Sequence, residues 1–264
     1  MLLWLIVLHY LLYVLYPLFI SLRFLTYQEL KYEKCYTVAM LVIGHRGAAG
    51  EKPENSLAAI KAGMRSGADI LEFDIRLTKD DQLVLLHDDN LKRTHDIDAR
   101  IADHTLKQIQ RLTAGTAAPI CTLREVFETA LGRIMLNIEL KDKATGIHVL
   151  ELLREPEFKG NEDMVFLSSF SARELSRVRA LSKKIKLAML MRLNPFAFLA
   201  WERKLHLSAV GFHRLHLNPL SIQAAHQLDM FVYVYTVNRP AARKNLERQG
   251  VDGIVTDYPS KFAG

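Results

Sequence analysis

Three acidic residues end apolar, strand-like segments of the chain. Glu72 and Asp74 stand two residues apart at the end of one such segment, and Glu139 ends another. Side chains two apart on a strand point to the same face. Carboxylates crowded in a low dielectric repel one another unless a cation neutralises them, and oxygen ligands favour Mg²⁺ or Ca²⁺ over zinc. The acids therefore predict a divalent metal site. The alternative is a structural ion network with basic residues, namely Arg46, Arg76 or Lys141.

Two of the ten histidines, His45 and His87, also stand at the ends of strand-like segments. A pair of imidazoles at one phosphorus centre can divide proton transfer, since one removes a proton from the attacking hydroxyl and the other protonates the leaving oxygen. Arg46 follows His45 and carries the forked donor that matches a phosphate. This combination indicates phosphoryl chemistry. A single histidine, taken alone, is more often exposed to solvent or packed in the core.

The elements that must position these residues alternate along the chain from Ala39 onwards, which is typical of a parallel α/β domain. The pattern predicts eight core strands, at Met40–Ile43, Asp69–Asp74, Ile134–Glu139, Met164–Ser168, Ile185–Leu190, Ser208–Phe212, Phe231–Thr236 and Gly253–Thr256. The clearest helices are predicted at Ser56–Ser66, Thr122–Leu131, Ala172–Leu181, Ser221–Leu228 and Ala241–Gln249. Eight strands suit a closed (β/α)₈ TIM barrel, whose strand ends converge on one mouth. An open doubly wound sheet is the alternative.

One segment departs from this alternation, because the residues between Asp74 and His87 are too few for a crossover helix. The sequence therefore predicts a β-hairpin after the second strand. With a tight turn at residues 79–82, Thr78 faces Leu83 and Asp74 faces His87. A small, loop-rich insertion follows at residues 88–120, with one helical piece at Thr105–Leu112.

Composition narrows the class of protein further. The chain has 264 residues, of which 35 are Lys or Arg and 29 are Asp or Glu, giving a formal charge of +6. The basic residues form no tract and no zinc-finger or RNA-binding signature occurs, which argues against a nucleic-acid partner. The only two cysteines, Cys35 and Cys121, are far apart, which argues against a disulfide scaffold.

The amino-terminal segment predicts a membrane anchor. Residues 2–22 include no Asp, Glu, Lys or Arg, and this length suffices to cross a bilayer. Basic residues follow the segment, so the positive-inside tendency places the remaining domain in the cytoplasm. We expect an N-terminal hydrophobic helix as anchor at 1–27, a linker at 28–39 and a catalytic domain at 40–264 in a single-pass protein. The alternatives are an apolar helix packed on the domain or in the interface, or a natural start at Met40.

Six motifs in this order resemble the glycerophosphodiester phosphodiesterase family: His45-Arg46-Gly47, Pro53-Glu54-Asn55-Ser56, Glu72-Phe73-Asp74, His87-Asp88, Glu139-Leu140-Lys141 and the closing Gly250–Pro259. The resemblance runs from about Leu41 to the end of the chain. It implies a TIM barrel and a metal-dependent hydrolase that cleaves glycerophosphodiesters to sn-glycerol 3-phosphate and an alcohol. In this family the glycerol 2-hydroxyl is thought to attack phosphorus, and water then opens the resulting cyclic phosphate.

The resemblance also implies roles for individual residues. Metal ligands are expected at Glu72, Asp74 and Glu139, with Mg²⁺ or Ca²⁺ as the ion. His45 and His87 would act as acid and base, and Arg46 and Lys141 would contact the phosphate. Tyr235 stands where the family usually has Trp, so an aromatic wall of the substrate site is kept.

Two other functions are compatible with the sequence. The apolar run Asn194–Trp201 could receive an acyl chain. The substrate would then be a membrane lysophospholipid and the enzyme a lysophospholipase D. The structural alternative is that the same run forms a helix packed on the barrel. A membrane-tethered binding module without turnover is the third possibility.

Overall fold

The computed structural model describes residues 40–262, which form a closed barrel of eight parallel strands. The strands are β1 Leu41–Gly44, β2 Ile70–Leu77, β3 Leu83–Leu85, β4 Met135–Leu140, β5 Val165–Ser169, β6 Lys186–Met191, β7 Ala209–His213, β8 Phe231–Tyr235 and β9 Gly253–Thr256. All except β3 belong to the barrel. It closes because β1 pairs in parallel with both β2 and β9. The predicted TIM barrel and its eight strands are confirmed, and the open sheet is excluded.

The helices lie between the strands. They are α1 Leu57–Arg65, α2 Lys92–His95, α3 Leu106–Thr113, α4 Leu123–Ala130, α5 Thr145–Arg154, α6 Ala172–Leu181, α7 Glu202–Leu205, α8 Pro219–Gln227 and α9 Arg243–Arg248. Local sequence sets several of their starts. Ser56 caps α1 by accepting a hydrogen bond from Ala59 N, and Thr122 with Glu125 forms a capping box at α4.

Each barrel strand divides its side chains between two layers. On β2, Leu71, Phe73 and Ile75 are fully buried in the large apolar layer beneath the helices. The alternate residues face the barrel interior, where the apolar part is the smaller cluster of Ile43, Ile70, Phe166, Ala188, Leu190, Ala209, Tyr233 and Val255. Glu72 and Asp74 belong to this inward set. The alternation of the strand therefore directs both acids into the barrel.

Gly211 on β7 makes room for the ring of Tyr233 inside the barrel. A Cβ at this position would lie 2.7 Å from the Tyr233 ring and 2.7 Å from Leu190 Cδ2. We expect Gly211→Ala to destabilise the protein by about 1–3 kcal/mol, because overpacking must displace buried groups. Thermal unfolding should show a lower Tm. Gly115→Ala is the matched control, since no atom of residues 40–262 lies within 4 Å of the added methyl group. An unchanged Tm for Gly211→Ala would contradict the packing around Tyr233.

The hairpin after β2 is present, but its predicted register is wrong by one residue. Leu77 faces Leu83, and Leu86 N donates to Asp74 O at 3.1 Å. The turn contains five residues, 78–82, because Thr78 bonds across it instead of pairing as a strand residue. The insertion that follows has its own small core, made of Val84, Leu86, Leu91, Ala99, Ile101, Ile109 and Ile120.

The structure contradicts the predicted localisation, which was a membrane-anchored, single-pass protein with a cytoplasmic catalytic domain. Within residues 40–262 no helix has the length and apolar character needed to cross a bilayer. The longest, α5 and α6, have ten residues each and reach about 15 Å, whereas a span needs about 20 residues. The predicted anchor at 1–27 and linker at 28–39 lie outside the described residues.

Candidate active site

The three acids meet at the carboxyl end of the barrel. Asp74 on β2 is in register with Glu139 on β4, and Glu72 lies one inward position deeper. One carboxylate oxygen from each lies within 4.8 Å of the other two. Glu72 and Asp74 are almost fully buried, and Glu139 is mostly buried. Three oxygen donors at this spacing could hold a hard divalent cation.

Two cations are shared unequally among these acids. Lys141 Nζ lies 2.9 Å from Asp74 Oδ1 and 2.5 Å from Glu139 Oε1, and Arg46 Nε lies 3.3 Å from Asp74 Oδ2. Arg76 does not join them, since it pairs with Asp142. The alternative ion network is therefore realised only in part, with Asp74 as its centre.

The pKa values follow this unequal sharing. Burial would raise the pKa of Asp74, but the charges of Lys141 and Arg46 outweigh it and hold that pKa well below its usual range. Burial, and then the charge of Asp74, raises the pKa of Glu139 to about 8 and also raises that of Glu72. Two of the three acids thus lack enough positive charge around them. A bound divalent cation would supply it.

His45 follows β1 and is fixed by a partner at the far end of the chain. Its Nδ1 lies 2.5 Å from Asp257 Oδ1, and Asn238 Nδ2 donates to the other Asp257 oxygen. Burial lowers the pKa of His45, but the hydrogen bond to Asp257 and the charge of Glu72 outweigh burial, so the pKa is raised. His45 is therefore biased towards its protonated form.

His87, just beyond the hairpin strand β3, is held differently. Its Nδ1 lies 2.6 Å from Asp88 Oδ1, and its carbonyl oxygen accepts two hydrogen bonds from the Arg76 guanidinium. Asp88 is itself paired with Arg93. Burial lowers the pKa of His87 despite the nearby charge of Asp74. The pKa values of the two histidines are thus shifted in opposite directions, which suits an acid and base pair.

The loop after β1 places Arg46 beside the acids. Arg46 has a positive φ of 48°, its backbone N donates to Glu72, and its guanidinium bonds to Glu54 Oε1 at 2.7 Å. Asn55 of the same loop donates to Asp74 Oδ2 and accepts from Asp74 N. Glu54 and Asn55 therefore orient a cation and an acid of the site, respectively.

Tyr235 forms part of one wall of the cavity above the barrel. Its hydroxyl donates to Met191 O at 2.7 Å, and its ring packs edge-on against Phe170. The cavity has a volume of about 310 Å³. Its lining consists of His45, Glu72, Asn137, Glu139, Ser168, Phe170, Leu190, Tyr233, Tyr235 and Val255. Two of the three acids, Glu72 and Glu139, thus share one cavity with His45 and the aromatic wall.

Residues 45–261 match the sequence model of the glycerophosphoryl diester phosphodiesterase family. The chain belongs to this family. By family it is a phosphoric diester hydrolase, which favours an enzyme over a binding module without turnover.

Relatives of this phosphodiesterase cover most of its length. A glycerophosphodiester phosphodiesterase of Caldanaerobacter subterraneus subsp. tengcongensis is 32% identical over 83% of this chain and 94% of its own. Lysophospholipase D GDPD1 of Homo sapiens is 28% identical over 83% of this chain and 84% of its own. The solved structure of an Oleispira antarctica phosphodiesterase in complex with the product sn-glycerol-3-phosphate is 26% identical, with a TM-score of 0.76 over 86% of this chain and 96% of that chain.

Sequence reasoning gave no role to several residues that line or support the phosphodiesterase site. Asp257 lies in the closing motif, but nothing local shows that it reaches His45, 212 positions away. Asn137 precedes Glu139 by two positions on β4 and faces the same way. The period of two that placed Glu72 beside Asp74 would have placed Asn137 beside Glu139 as well.

Proposed function

We propose that this phosphodiesterase hydrolyses glycerophosphodiesters to sn-glycerol 3-phosphate and an alcohol with the help of Mg²⁺ or Ca²⁺. The observation that carries the proposal is a cluster of three buried carboxylates, two of which line one cavity together with a histidine and an aromatic wall.

Glu72, Asp74 and Glu139 are the residues that would hold the cation. Their oxygens are close enough to share one ion, and Glu72 Oε1 is buried without a hydrogen-bond partner among the described residues. An all-oxygen donor set fits Mg²⁺ and Ca²⁺. Bound there, the ion would supply Lewis-acid polarisation and neutralise charge on the phosphoryl oxygens.

Arg46 and Lys141 are the residues that would bind the phosphate. Glu54 holds the Arg46 guanidinium, while Asp74 and Glu139 hold the Lys141 ammonium. Both cations are largely buried, so water screens them weakly. Because they are held in place before the substrate arrives, they would stabilise developing negative charge without reorganisation.

His45 and His87 would move the protons. As the glycerol 2-hydroxyl oxygen bonds to phosphorus, His87 takes its proton, and His45 protonates the alcohol oxygen as its bond to phosphorus breaks. The product of this step is a cyclic phosphate, which water opens with the roles of the histidines reversed. The assignment rests on the raised pKa of His45 and the lowered pKa of His87.

The test is release of glycerol 3-phosphate from glycerophosphocholine by the full chain. We expect activity that EDTA removes and that Mg²⁺ or Ca²⁺ restores. Comparing the two ions at matched concentrations identifies the preferred one. Absent release, or release that EDTA does not affect, would contradict the proposal.

Lysophospholipase D activity is the second candidate. The human relative carries that name, and two leucines at the barrel mouth, Leu193 and Leu215, are 69% and 73% exposed. The Asn194–Trp201 run contributes less to such a surface than its sequence suggests, because Phe198 is fully buried against Phe212. Equal rates on glycerophosphocholine and lysophosphatidylcholine would argue against a lipid preference.

Asp257→Asn should move the alkaline limb of the kcat/KM profile to lower pH. The carboxylate helps to raise the pKa of His45, so its loss lowers that pKa, and the proton-donating form then disappears at lower pH. The profile is measured on glycerophosphocholine. The control is Asp252→Asn, which removes a similar pairing with His226. If the alkaline limb of the kcat/KM profile does not move in Asp257→Asn, Asp257 does not set the pKa of the proton donor.

A further inference from the structure

Three uncharged polar side chains lie at the bottom of the cavity: Asn137, Ser168 and Tyr233, which we call the polar floor. None is more than 1% exposed. Asn137 Oδ1, Ser168 Oγ and the Tyr233 hydroxyl have no hydrogen-bond partner among residues 40–262, and Asn137 lies beside Tyr233 without the geometry of a formed hydrogen bond. Buried polar groups almost always have partners. The polar floor is therefore shaped to bond something that enters the cavity.

The barrel holds two members of the polar floor on strands beside the acids. Ser168 on β5 is in register with Glu139, and Asn137 is in register with Glu72. The Tyr233 ring packs against Phe166 and Phe231, with centroids 6.3 and 6.0 Å away. These rings close the cavity below the polar floor. A group bound there can extend only a short distance inwards.

The chemistry of the polar floor selects hydroxyl groups. Serine and tyrosine hydroxyls both donate and accept, and the asparagine oxygen accepts. Among the described residues that line the cavity, none is a lysine or an arginine, and Glu72 and Glu139 line it too, so a phosphate is disfavoured at the polar floor. An acyl chain is disfavoured too, since it would leave the three oxygens unpaired.

We infer that the polar floor binds the free hydroxyl groups at the glycerol end of the substrate, and that it thereby selects diesters whose glycerol carries no acyl chain. The inference rests on the proposed function and adds the substrate feature that is recognised. The glycerol end is common to all glycerophosphodiesters, so it suits the enclosed end of the cavity. The variable alcohol then faces the open mouth.

The test compares two substrates that both release choline: glycerophosphocholine, and the propane-1,2-diol analogue that lacks only the terminal glycerol hydroxyl. Both retain the attacking 2-hydroxyl. Sites built to bond a hydroxyl reject analogues without it strongly. We expect the wild type to prefer glycerophosphocholine at least about a hundredfold in kcat/KM. Ser168→Ala should reduce this preference at least about tenfold by slowing glycerophosphocholine cleavage alone.

Ser169→Ala is the matched control. Ser169 is equally buried on the same strand, but its hydroxyl points out of the barrel and donates to Leu140 O at 2.9 Å. Its loss should leave the substrate preference unchanged. Tyr233→Phe provides a second variant and should also reduce the preference.

The outcomes separate this inference from the proposed function. The polar floor does not recognise the terminal glycerol hydroxyl if the wild type cleaves both substrates equally. The same conclusion follows if Ser168→Ala and Tyr233→Phe slow cleavage of both substrates to the same extent. In either case the proposed function still stands. If the wild type releases choline from neither substrate, the proposed function fails and this inference fails with it.

Discussion

A Glu139→Gln protein should fold like the wild type and lose about a thousandfold in phosphodiesterase activity, on the order of 4 kcal/mol of transition-state stabilisation. Glutamine keeps the volume of the side chain but cannot ionise, so it offers no negative charge to a cation bound at the proposed metal site. The fold should survive, because Lys141 retains Asp74 as its partner at 2.9 Å. Removing one of the three carboxylates also lowers the electrostatic repulsion among them.

Two measurements check this prediction. The first is kcat/KM on glycerophosphocholine at saturating Mg²⁺ or Ca²⁺. The second is the rise in Tm on adding the ion without substrate, since a ligand that binds only the folded state stabilises it. We expect this rise in the wild type and a much smaller one in Glu139→Gln.

Glu128→Gln is the control, because Glu128 is an exposed acid on α4 away from the cavity. It should change neither measurement. If the Glu139→Gln enzyme folds and keeps near wild-type activity, Glu139 is not a ligand of the proposed metal site. Loss of the fold would instead favour the structural ion network.

The strands were predictable because each is a short apolar run with turn signals on both sides, and all eight were placed close to their observed bounds. The hairpin was predictable from the small number of residues between Asp74 and His87. Its register was not, because it depends on where the turn begins. Thr78 bonds to Asp80 and to Gln82 N inside the turn, and Asp81 adopts a positive φ of 56°. One extra turn residue shifts every pair along the hairpin.

Helix α5 shows what local patterns omit. It was not among the clearest predicted helices, since it has no local N-cap and includes Gly146 in its first turn. Its cap comes from Glu174, which accepts hydrogen bonds from Ala144 N and Gly146 N, 30 and 28 residues earlier in the chain. The glycine is needed because a Cβ there would lie 2.3 Å from Val178. Both causes are contacts with α6, and neither is visible in the local sequence.

The same limit applies to the candidate site. The period of two on a strand placed Glu72 beside Asp74, and barrel closure brought Glu139 to them. Which cation pairs with which acid could not be predicted, because Arg76 and Lys141 both lie near enough in sequence, and only the folded chain sends Arg76 to Asp142. The Asp257–His45 pair likewise depends on β9 lying beside β1.

His45→Ala and His87→Ala should each lose about 10²–10⁴-fold on glycerophosphocholine, which is the usual contribution of general acid–base catalysis. A second substrate distinguishes their roles. In glycerophospho-p-nitrophenol the leaving group departs without a proton, whereas the choline oxygen needs one. We therefore expect His45→Ala to recover most of its activity on the nitrophenyl diester.

His87→Ala should remain slow on both substrates, because the glycerol 2-hydroxyl must still lose its proton whichever group leaves. The measurement is kcat/KM for each variant on each diester, with His148→Ala as the control, since His148 pairs with Glu151 on the surface of α5. The opposite pattern would exchange the roles of the two histidines. Equal losses on both substrates in both variants would show that neither histidine donates the proton to the leaving group.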